Sequence, residues 1–197
     1  MEQNHHSKPT AAGKSSFDLI DAEAFFRELD LKRGITFLDL ACGRGAYCLK
    51  ASEIIGPSGT IYAVDLWQEG IDQLKANALA ENVLNIKAFV SDAGRHIPVD
   101  DQVVDVCLLA TVLHDFVEDQ IAKEVLKEVV RVMKPGSILA VMEFKKIDGP
   151  PGPPRHIRLA PSAVEDLLAP YGFSKDRLTD IGPYNYLMMF RKNQNLD

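Results

Sequence analysis

The sequence predicts an open, doubly wound α/β sheet that forms a single domain. Short apolar runs alternate with segments of helical periodicity, the pattern of right-handed crossovers in a mostly parallel sheet. The first apolar run, Ile35–Leu40, leads directly into a glycine turn, Cys42–Gly45, and then into a helix start. In such sheets a ligand binds beyond the carboxyl ends of the strands. We therefore expect the functional site at that edge, next to this turn.

The order of elements follows from periodicity and from turn residues. The run Val103–Ala110 is apolar except for Asp105, as expected of a strand covered on both faces. The last two strands are joined only by Gly182-Pro183 and must be antiparallel. Predicted strands cover Ile35–Leu40, Thr60–Val64, Leu84–Val90, Val103–Ala110, Ser137–Phe144, a sixth strand that follows Tyr171–Phe173 and runs to about Thr179, and Tyr184–Arg191. Predicted helices cover Phe17–Leu29, Ala46–Ile55, Gln68–Ala80, Glu118–Met133 and a segment that starts at a capping box of Ser162 and Glu165.

Length and charge limit the classes of function. The 197 residues suffice for one domain, 16–197, after a polar stretch, 1–15, that we expect to be a disordered tail. The net charge of -6 argues against nucleic acid as a partner. No apolar run is long enough to span a bilayer, and the N-terminus lacks the apolar segment of a secretory signal, so we expect a cytoplasmic protein with no membrane partner. A monomer and a homodimer both remain open.

The cysteines and terminal histidines predict no metal site. Cys42, Cys48 and Cys107 have no C-x-x-C spacing, and an odd number of cysteines without an export signal suggests reduced, buried thiols. His5 and His6 lie in the polar tail and are expected to be a solvated pair.

An acidic residue distinguishes the glycine turn from a dinucleotide site. Asp39 precedes the turn and would repel a pyrophosphate; at ~5 Å and an effective dielectric of ~20, each pair of like charges costs roughly 3 kcal/mol. The same carboxylate would attract the sulfonium and the ammonium of S-adenosylmethionine. A dinucleotide fingerprint also requires a third glycine, and Cys48 stands at that position.

The stretch Leu38–Gly45, LDLACGRG, resembles the first motif of class I, Rossmann-like S-adenosylmethionine-dependent methyltransferases. The likeness continues in order along the chain to about Lys192, and is greatest to the small-molecule enzymes of ubiquinone/menaquinone biosynthesis and of arsenite methylation. The resemblance implies seven strands in the order 3-2-1-4-5-7-6, with only the last antiparallel. The family form R-x-x-K-P-G-G is present from Arg131, except that Ser137 replaces the second glycine. Arsenite methylation needs several substrate-binding cysteines, which this chain does not offer.

Acids at the ends of the next two strands complete a predicted cofactor site. Asp65 lies about 20 residues past the glycine turn, the spacing at which a carboxylate reaches ribose hydroxyls; the alternative is a loop acid that caps the helix at Gln68. The resemblance implies that Asp92 accepts from the adenine amino group and that the Ala93 N–H serves a ring nitrogen; the alternative is an Asx-type turn. Leu66 or Trp67 could pack on the adenine, with core packing as the alternative for Trp67, and Ala110 and Thr111 would face the methionine part. The predicted cofactor-binding residues are Asp39, Ala41, Gly43, Gly45, Asp65, Leu66, Asp92, Ala93 and Ala110.

His114 is the candidate catalytic residue. It comes just past the fourth strand, beside the expected position of the methyl group. Methyl transfer from a sulfonium is an in-line displacement that depends mainly on alignment, and a base helps only if the nucleophile must lose a proton. The ordinary pKa of histidine suits that task. The alternative is a histidine at a helix N-terminus that bonds the backbone.

The predicted substrate contacts lie after the Pro- and Gly-rich loop Asp148–Pro154. Arg155, His156 and Arg158 could hold an anionic substrate, or they could form a solvated basic patch or pair with Glu165 and Asp166. The sequence thus predicts a methyltransferase that uses S-adenosylmethionine on a small-molecule acceptor. A nicotinamide-dinucleotide oxidoreductase and a non-catalytic S-adenosylmethionine-binding protein remain as alternatives.

Overall fold

The protein is built around a seven-stranded sheet in the order β3-β2-β1-β4-β5-β7-β6. A computed structural model describes residue 13 and residues 15–194. The first five strands are parallel, and β7 is antiparallel to both of its neighbours, as the sequence and the resemblance predicted. The strands are β1 (Thr36–Leu40), β2 (Thr60–Asp65), β3 (Ile86–Val90), β4 (Val104–Ala110), β5 (Met133–Phe144), β6 (Phe173–Ile181) and β7 (Asn185–Lys192).

Six helices of the described chain cover the sheet on both faces. None of them is long and apolar enough to cross a bilayer. A short 3-10 turn, Phe17–Leu19, precedes α1, and another, Ala169–Tyr171, follows α6. The helices are α1 (Ala22–Leu29), α2 (Ala46–Ile55), α3 (Gln68–Ala80), α4 (Leu113–Glu118), α5 (Ala122–Val132) and α6 (Pro161–Leu168). Residues 1–12 and 14, and with them His5, His6 and most of the predicted tail, lie outside the described residues.

Two apolar clusters, one for each face of the sheet, bury alternate residues of the central strands. Leu38 and Leu40 of β1 belong to the cluster that includes α5 and α6. Phe37 belongs to the other cluster, which includes α1, α2 and α3. This alternation follows from the two-residue period of a strand. It places Asp39 on the same face as Phe37, inside the second cluster.

Several predicted boundaries were wrong. The helix predicted over Phe17–Leu29 is a 3-10 turn, Phe17–Leu19, followed by α1, and the third strand begins at Ile86 instead of Leu84. The helix predicted over Glu118–Met133 begins later, as α5 at Ala122. The short helix before it, α4, was not predicted, and Gln120, with a left-handed φ of 60°, lies between the two. The predicted capping box is absent: α6 starts after Ala160 without a side-chain cap, and Glu165 instead binds Lys175. The fifth strand begins at Met133 instead of Ser137, across the Lys134-Pro135-Gly136 turn that was expected to precede it.

Asp105, the acid that interrupts the apolar run of β4, has a structural role. Its two carboxylate oxygens accept from the Thr36 backbone N–H, at 2.8 Å, and from Lys134 Nζ, at 2.6 Å. These bonds join the start of β1 to β4 and β5, at the edge of the sheet opposite the glycine turn.

Candidate active site

The glycine turn between β1 and α2 is shaped by positive φ angles. Ala41, Gly43 and Gly45 have φ of 62°, 55° and 74°. A Cβ at Gly45 would lie 2.3 Å from a Leu74 methyl group of α3, so this position needs glycine for packing as well as for conformation. A Cβ at Gly43 would meet nothing within 4 Å. The turn therefore packs tightly on its α3 side and is open where a ligand would approach Gly43.

Asp39 lies beneath this turn and is 1 % exposed. Its Oδ2 accepts a hydrogen bond from the thiol of Cys48 on α2, at 3.0 Å. Burial raises the pKa of Asp39 to about 7; the Cys48 bond lowers this pKa and the charge of Asp65 raises it further. The sequence argument placed a full negative charge at the mouth of the turn, whereas the structure places a buried carboxyl that titrates near neutral pH.

Asp65, at the end of β2, joins the glycine turn to the start of α3. Its Oδ2 accepts from the Gly43 N–H and its Oδ1 from the Trp67 N–H, both at 2.7 Å. A carboxylate has about four lone-pair sites, so two remain after these bonds. The predicted ribose contact and the alternative, a local loop contact, are therefore compatible. Leu66 follows and is half-buried.

Asp92, after β3, forms the Asx-type turn that was the alternative reading. Its Oδ1 accepts from the Gly94 N–H at 2.9 Å, and its Oδ2 lies 3.3 Å from Arg95 Nε. Ala93 between them packs at the margin of the apolar cluster. In-register pairing of β1, β2 and β3 brings the ends of these strands to the same edge, so the turn of Asp92 neighbours Asp65.

A chain of three hydroxyls, buried at Ser16 and Tyr47 and half-buried at Thr111, lies at the end of β4, and the sequence did not reveal it. Ala110 ends β4, and the next residue, Thr111, donates through Oγ1 to Ser16 Oγ at 3.1 Å. Ser16 Oγ lies 3.0 Å from the phenol oxygen of Tyr47 on α2. Phe17 packs edge-on against the same Tyr47 ring. The segment before α1 therefore lies against the predicted methionine end of the site.

His114 is buried at the first turn of α4 and is paired with Glu143 of β5. Glu143 is fully buried; its Oε1 accepts from the His114 backbone N–H at 3.1 Å and its Oε2 lies 2.7 Å from Nδ1. Burial lowers the pKa of His114, but the hydrogen bond and charge of Glu143, with the charge of Asp115, outweigh it, so the pKa is raised. The alternative was a ring that bonds the backbone, whereas the structure shows both the ring and the backbone N–H of His114 in contact with the Glu143 side chain.

The three predicted substrate contacts separate into two environments. Arg155 and His156 are exposed and, with Lys146 and Asp148, line a surface cavity of about 500 Å³. Arg158 is 2 % exposed, and its guanidinium donates to five carbonyls, those of Lys145, Ile147, Gly149, Pro151 and Pro153. All five N–H donors of Arg158 are thereby used within the loop, so its observed role is to hold that loop.

The described residues contain no group of three or more His, Cys, Asp or Glu side chains placed to hold a metal ion. All three cysteines are free and buried. Burial raises the pKa of Cys48 and of Cys107, so neither thiol is a ready nucleophile.

Residues 22–152 match the profile of the ubiE/COQ5 methyltransferase family, about two thirds of the chain. The chain belongs to the ubiE/COQ5 methyltransferase family. The family suggested by LDLACGRG is thus confirmed. The match includes every predicted cofactor residue together with His114 and Glu143, and it ends before Arg155, His156 and Arg158.

The curated relatives of this chain are named as enzymes of quinone biosynthesis or of arsenite methylation. The chain is 29% identical over 126 residues to a demethylmenaquinone methyltransferase of Lactobacillus johnsonii, covering 64% of this chain and 50% of the relative. It is 32% identical over 120 residues to a ubiquinone/menaquinone biosynthesis C-methyltransferase of Azotobacter vinelandii, covering 59% and 45%. An arsenite methyltransferase of Halobacterium salinarum is 31% identical over 56% of this chain and 27% of the relative. The chain spans about half the length, or less, of these relatives.

Solved structures share the fold over nearly the whole chain. A SAM-dependent methyltransferase from Aquifex aeolicus superposes with a TM-score of 0.82 at 28% identity, covering 91% of this chain and 93% of that one. The PH0226 protein from Pyrococcus horikoshii has a TM-score of 0.71 at 21% identity, covering 98% and 100%, and supports the fold alone.

Proposed function

We propose that this chain transfers the methyl group of S-adenosylmethionine to a small-molecule acceptor of the quinone type. The observation that carries the proposal is the edge of the sheet at which the open face of Gly43, the spare lone pairs of Asp65 and the Asp92 turn lie on three neighbouring strands. That edge lies within the region matched by the methyltransferase family.

The described residues fit the cofactor in chemical type. Asp65 can accept from two ribose hydroxyls while it keeps its backbone bonds. Asp92 would receive the adenine amino group, with the Ala93 N–H serving the ring. Ala41 and Gly45 shape the turn, and Asp39 beneath it favours a cationic ligand once it is ionised. The cofactor supplies an activated methyl carbon, so the protein mainly has to align the acceptor.

The acceptor would enter at the ends of β4 and β5. His114 is the proposed base there, and Arg155 and His156 are proposed contacts for polar or anionic groups of the acceptor at the surface cavity. The relatives are named for both quinone and arsenite enzymes, and the burial of all three cysteines in this chain favours a quinone over arsenite. We further propose action in the cytoplasm, as a monomer or a homodimer and without nucleic acid.

Titration calorimetry with S-adenosylmethionine, S-adenosylhomocysteine and NAD tests the cofactor. We expect the first two to bind and NAD not to bind. If NAD binds and the other two ligands do not, the protein would instead be a nicotinamide-dinucleotide oxidoreductase.

Release of S-adenosylhomocysteine tests the acceptor. The protein is incubated with S-adenosylmethionine and, separately, with reduced demethylmenaquinone, a simple catechol, an aliphatic amine and arsenite. We expect product with the reduced quinone. Tight cofactor binding with no product from any acceptor would indicate a binding protein without catalysis.

A further inference from the structure

The contact between His114 and Glu143 goes beyond a single hydrogen bond. Glu143 has no exposed surface, and its two oxygens receive different groups of the same residue, the backbone N–H and the ring Nδ1. The Phe144 backbone N–H also lies 3.3 Å from Oε2. Position and rotation of the imidazole are therefore both set by one buried carboxyl group.

This arrangement also decides which ring nitrogen carries the proton. A carboxylate only accepts hydrogen bonds, so the Nδ1–Oε2 contact of 2.7 Å requires the proton on Nδ1. In the neutral ring Nε2 is then the acceptor. Nε2 lies 3.5 Å from Asp115 Oδ1, beyond the usual hydrogen-bond range, and the Asp115 side chain is 41% exposed.

We propose that Glu143 is a positioning residue that presents Nε2 of His114 as the proton acceptor for methyl transfer to a nucleophile bearing an acidic O–H or C–H. The inference rests on the proposed function. As the nucleophile's electron pair forms the bond to the methyl carbon, its proton passes to Nε2, and the electrons of the broken carbon–sulfur bond stay on sulfur. The half-exposed Asp115 stabilises the imidazolium formed. An acceptor with a free lone pair and no proton to lose would not need this pair.

The charges around the ring support a base of this kind. Glu143 faces Nδ1, Asp115 faces Nε2, and Arg158, in the loop after β5, opposes them at longer range. Phe144 packs edge-on against the imidazole, with ring centroids 6.2 Å apart. The Arg158 guanidinium lies over the face of the Phe144 ring, 5.5 Å from its centroid. The two carboxylates outweigh both burial and Arg158, so the neutral ring is a stronger base than free imidazole.

The test compares wild type with Glu143→Gln, which keeps the shape and removes the charge. The matched control is Glu165→Gln, on the surface beside Lys175. Nitrogen NMR of histidine-labelled protein reports the ring tautomer and the titration of His114, assigned by its loss in His114→Gln. Calorimetry measures the affinity for S-adenosylmethionine. The pH profile of the methylation rate is measured as release of S-adenosylhomocysteine with reduced demethylmenaquinone as the acceptor.

In wild type we expect the neutral ring to carry its proton on Nδ1. In Glu143→Gln the His114 pKa should fall by about one to three units. The rising limb of the pH profile should move down with it, and the plateau rate should fall by about 10²-fold. Affinity for S-adenosylmethionine should stay within about twofold, and Glu165→Gln should match wild type in every measurement.

A wild-type proton on Nε2 overturns the inference even if Glu143→Gln does not fold. Unchanged turnover in a folded Glu143→Gln also overturns it and leaves the pair as a structural link between α4 and β5. Failure of wild type to bind S-adenosylmethionine would instead remove the proposed function, whatever the tautomer.

Discussion

At the scale of the single residue, Asp65 shows how one carboxylate can serve the cofactor and the fold. It bonds the backbone of the glycine turn and of the residue before α3, so it fixes the distance between the two walls of the site. A ribose bound to its remaining lone pairs would meet a carboxylate that is already oriented. The sequence predicted the ligand contact and the loop contact as alternatives. The loop contact is present and leaves lone pairs of Asp65 free, and the ligand contact stays a prediction.

Substitution Asp65→Ala should weaken binding of S-adenosylmethionine by about 10- to 100-fold, because hydrogen bonds to a charged group contribute roughly 1.5–3 kcal/mol. It should also reduce the free energy of unfolding by about 1–2 kcal/mol through the loss of the two backbone bonds. Calorimetry and urea denaturation measure the two effects. The control is Asp72→Ala, an exposed acid of α3 that accepts from Gln68. Unchanged affinity in Asp65→Ala would remove the ribose role.

Asp39 makes a second prediction at this scale, about pH. Its pKa near 7 leaves the carboxyl part protonated at neutral pH, and a cationic ligand favours the ionised form. Affinity for S-adenosylmethionine should therefore increase as pH rises from 6 to 8, with release of a proton on binding. Calorimetry in buffers of different ionisation enthalpy detects that proton. Asp39→Asn should bind more weakly at pH 8 and lose the pH dependence; the same proton release in the variant would contradict the charge argument.

At the scale of the element, the segment after β5 is organised by a single side chain. The five carbonyls bound by Arg158 belong to every second residue from 145 to 153, so the chain wraps around the guanidinium with alternate peptides facing inward. A Cβ at Gly152 would lie 2.7 Å from the Phe144 ring. The wrapped loop thus rests on Phe144, which in turn packs on His114.

Replacement Arg158→Lys should loosen this loop although it keeps the charge. An ammonium has three donors and no planar fork, so at least two of the five carbonyls lose their partner, at roughly 1–3 kcal/mol for each buried group. We expect faster hydrogen exchange and protease cleavage within residues 145–153, and a lower free energy of unfolding. Arg27→Lys, at an exposed arginine of α1 away from this loop, is the control and should leave both unchanged. Protection equal to wild type in Arg158→Lys would show that the loop is held by other contacts.

Arg158 also marks the limit of what the sequence could predict. Strands and most helices followed from periodicity and from glycine and proline, as at Gly56, whose φ of 73° ends α2 where expected. The order of the strands came from the resemblance, because local patterns do not specify which strands pair. The wrapping around Arg158 depends on carbonyl directions that no residue type encodes, so an arginine in a loop was predicted to contact substrate. The separate helix α4 and the later start of α5 were missed because the residue with a left-handed φ between them, Gln120, is not a glycine.

At the scale of the whole molecule, the parallel sheet encloses a buried acid, Asp39, near the end of β1 between β2 and β4. Asp39 is enclosed by the apolar cluster of α1, α2 and α3, and its carboxyl group is compensated by one thiol hydrogen bond. Burial of a charge without a cationic partner is unfavourable. The fold therefore favours the protonated acid, and a site suited to a cationic ligand makes the free protein less stable at the pH where that acid ionises.

The free energy of unfolding should consequently be greatest in mildly acidic solution. Folding raises the pKa of Asp39 from 3.8 to about 7, so the folded state holds the extra proton in this range and stability falls as pH rises through it, by up to about 4 kcal/mol. The raised pKa of His114 adds to the same decline. Glu128 acts in the opposite direction: its hydrogen bonds with Arg131 lower its pKa from 4.5 to about 2, so its contribution is lost as pH falls through that window.

Urea denaturation of the ligand-free protein at pH 3, 4.5, 6 and 8 should therefore give a maximum near pH 4.5. Asp39→Asn should reduce the loss of unfolding free energy between pH 4.5 and pH 8 and leave the loss towards pH 3 unchanged. Glu128→Gln should reduce the loss towards pH 3 and leave the loss towards pH 8 unchanged. Saturating S-adenosylmethionine should counter the alkaline decline of wild type, since the ligand's positive charge compensates ionised Asp39, and should do so less in Asp39→Asn. A wild-type protein more stable at pH 8 than at pH 4.5 without ligand would show that the buried acid does not govern the balance.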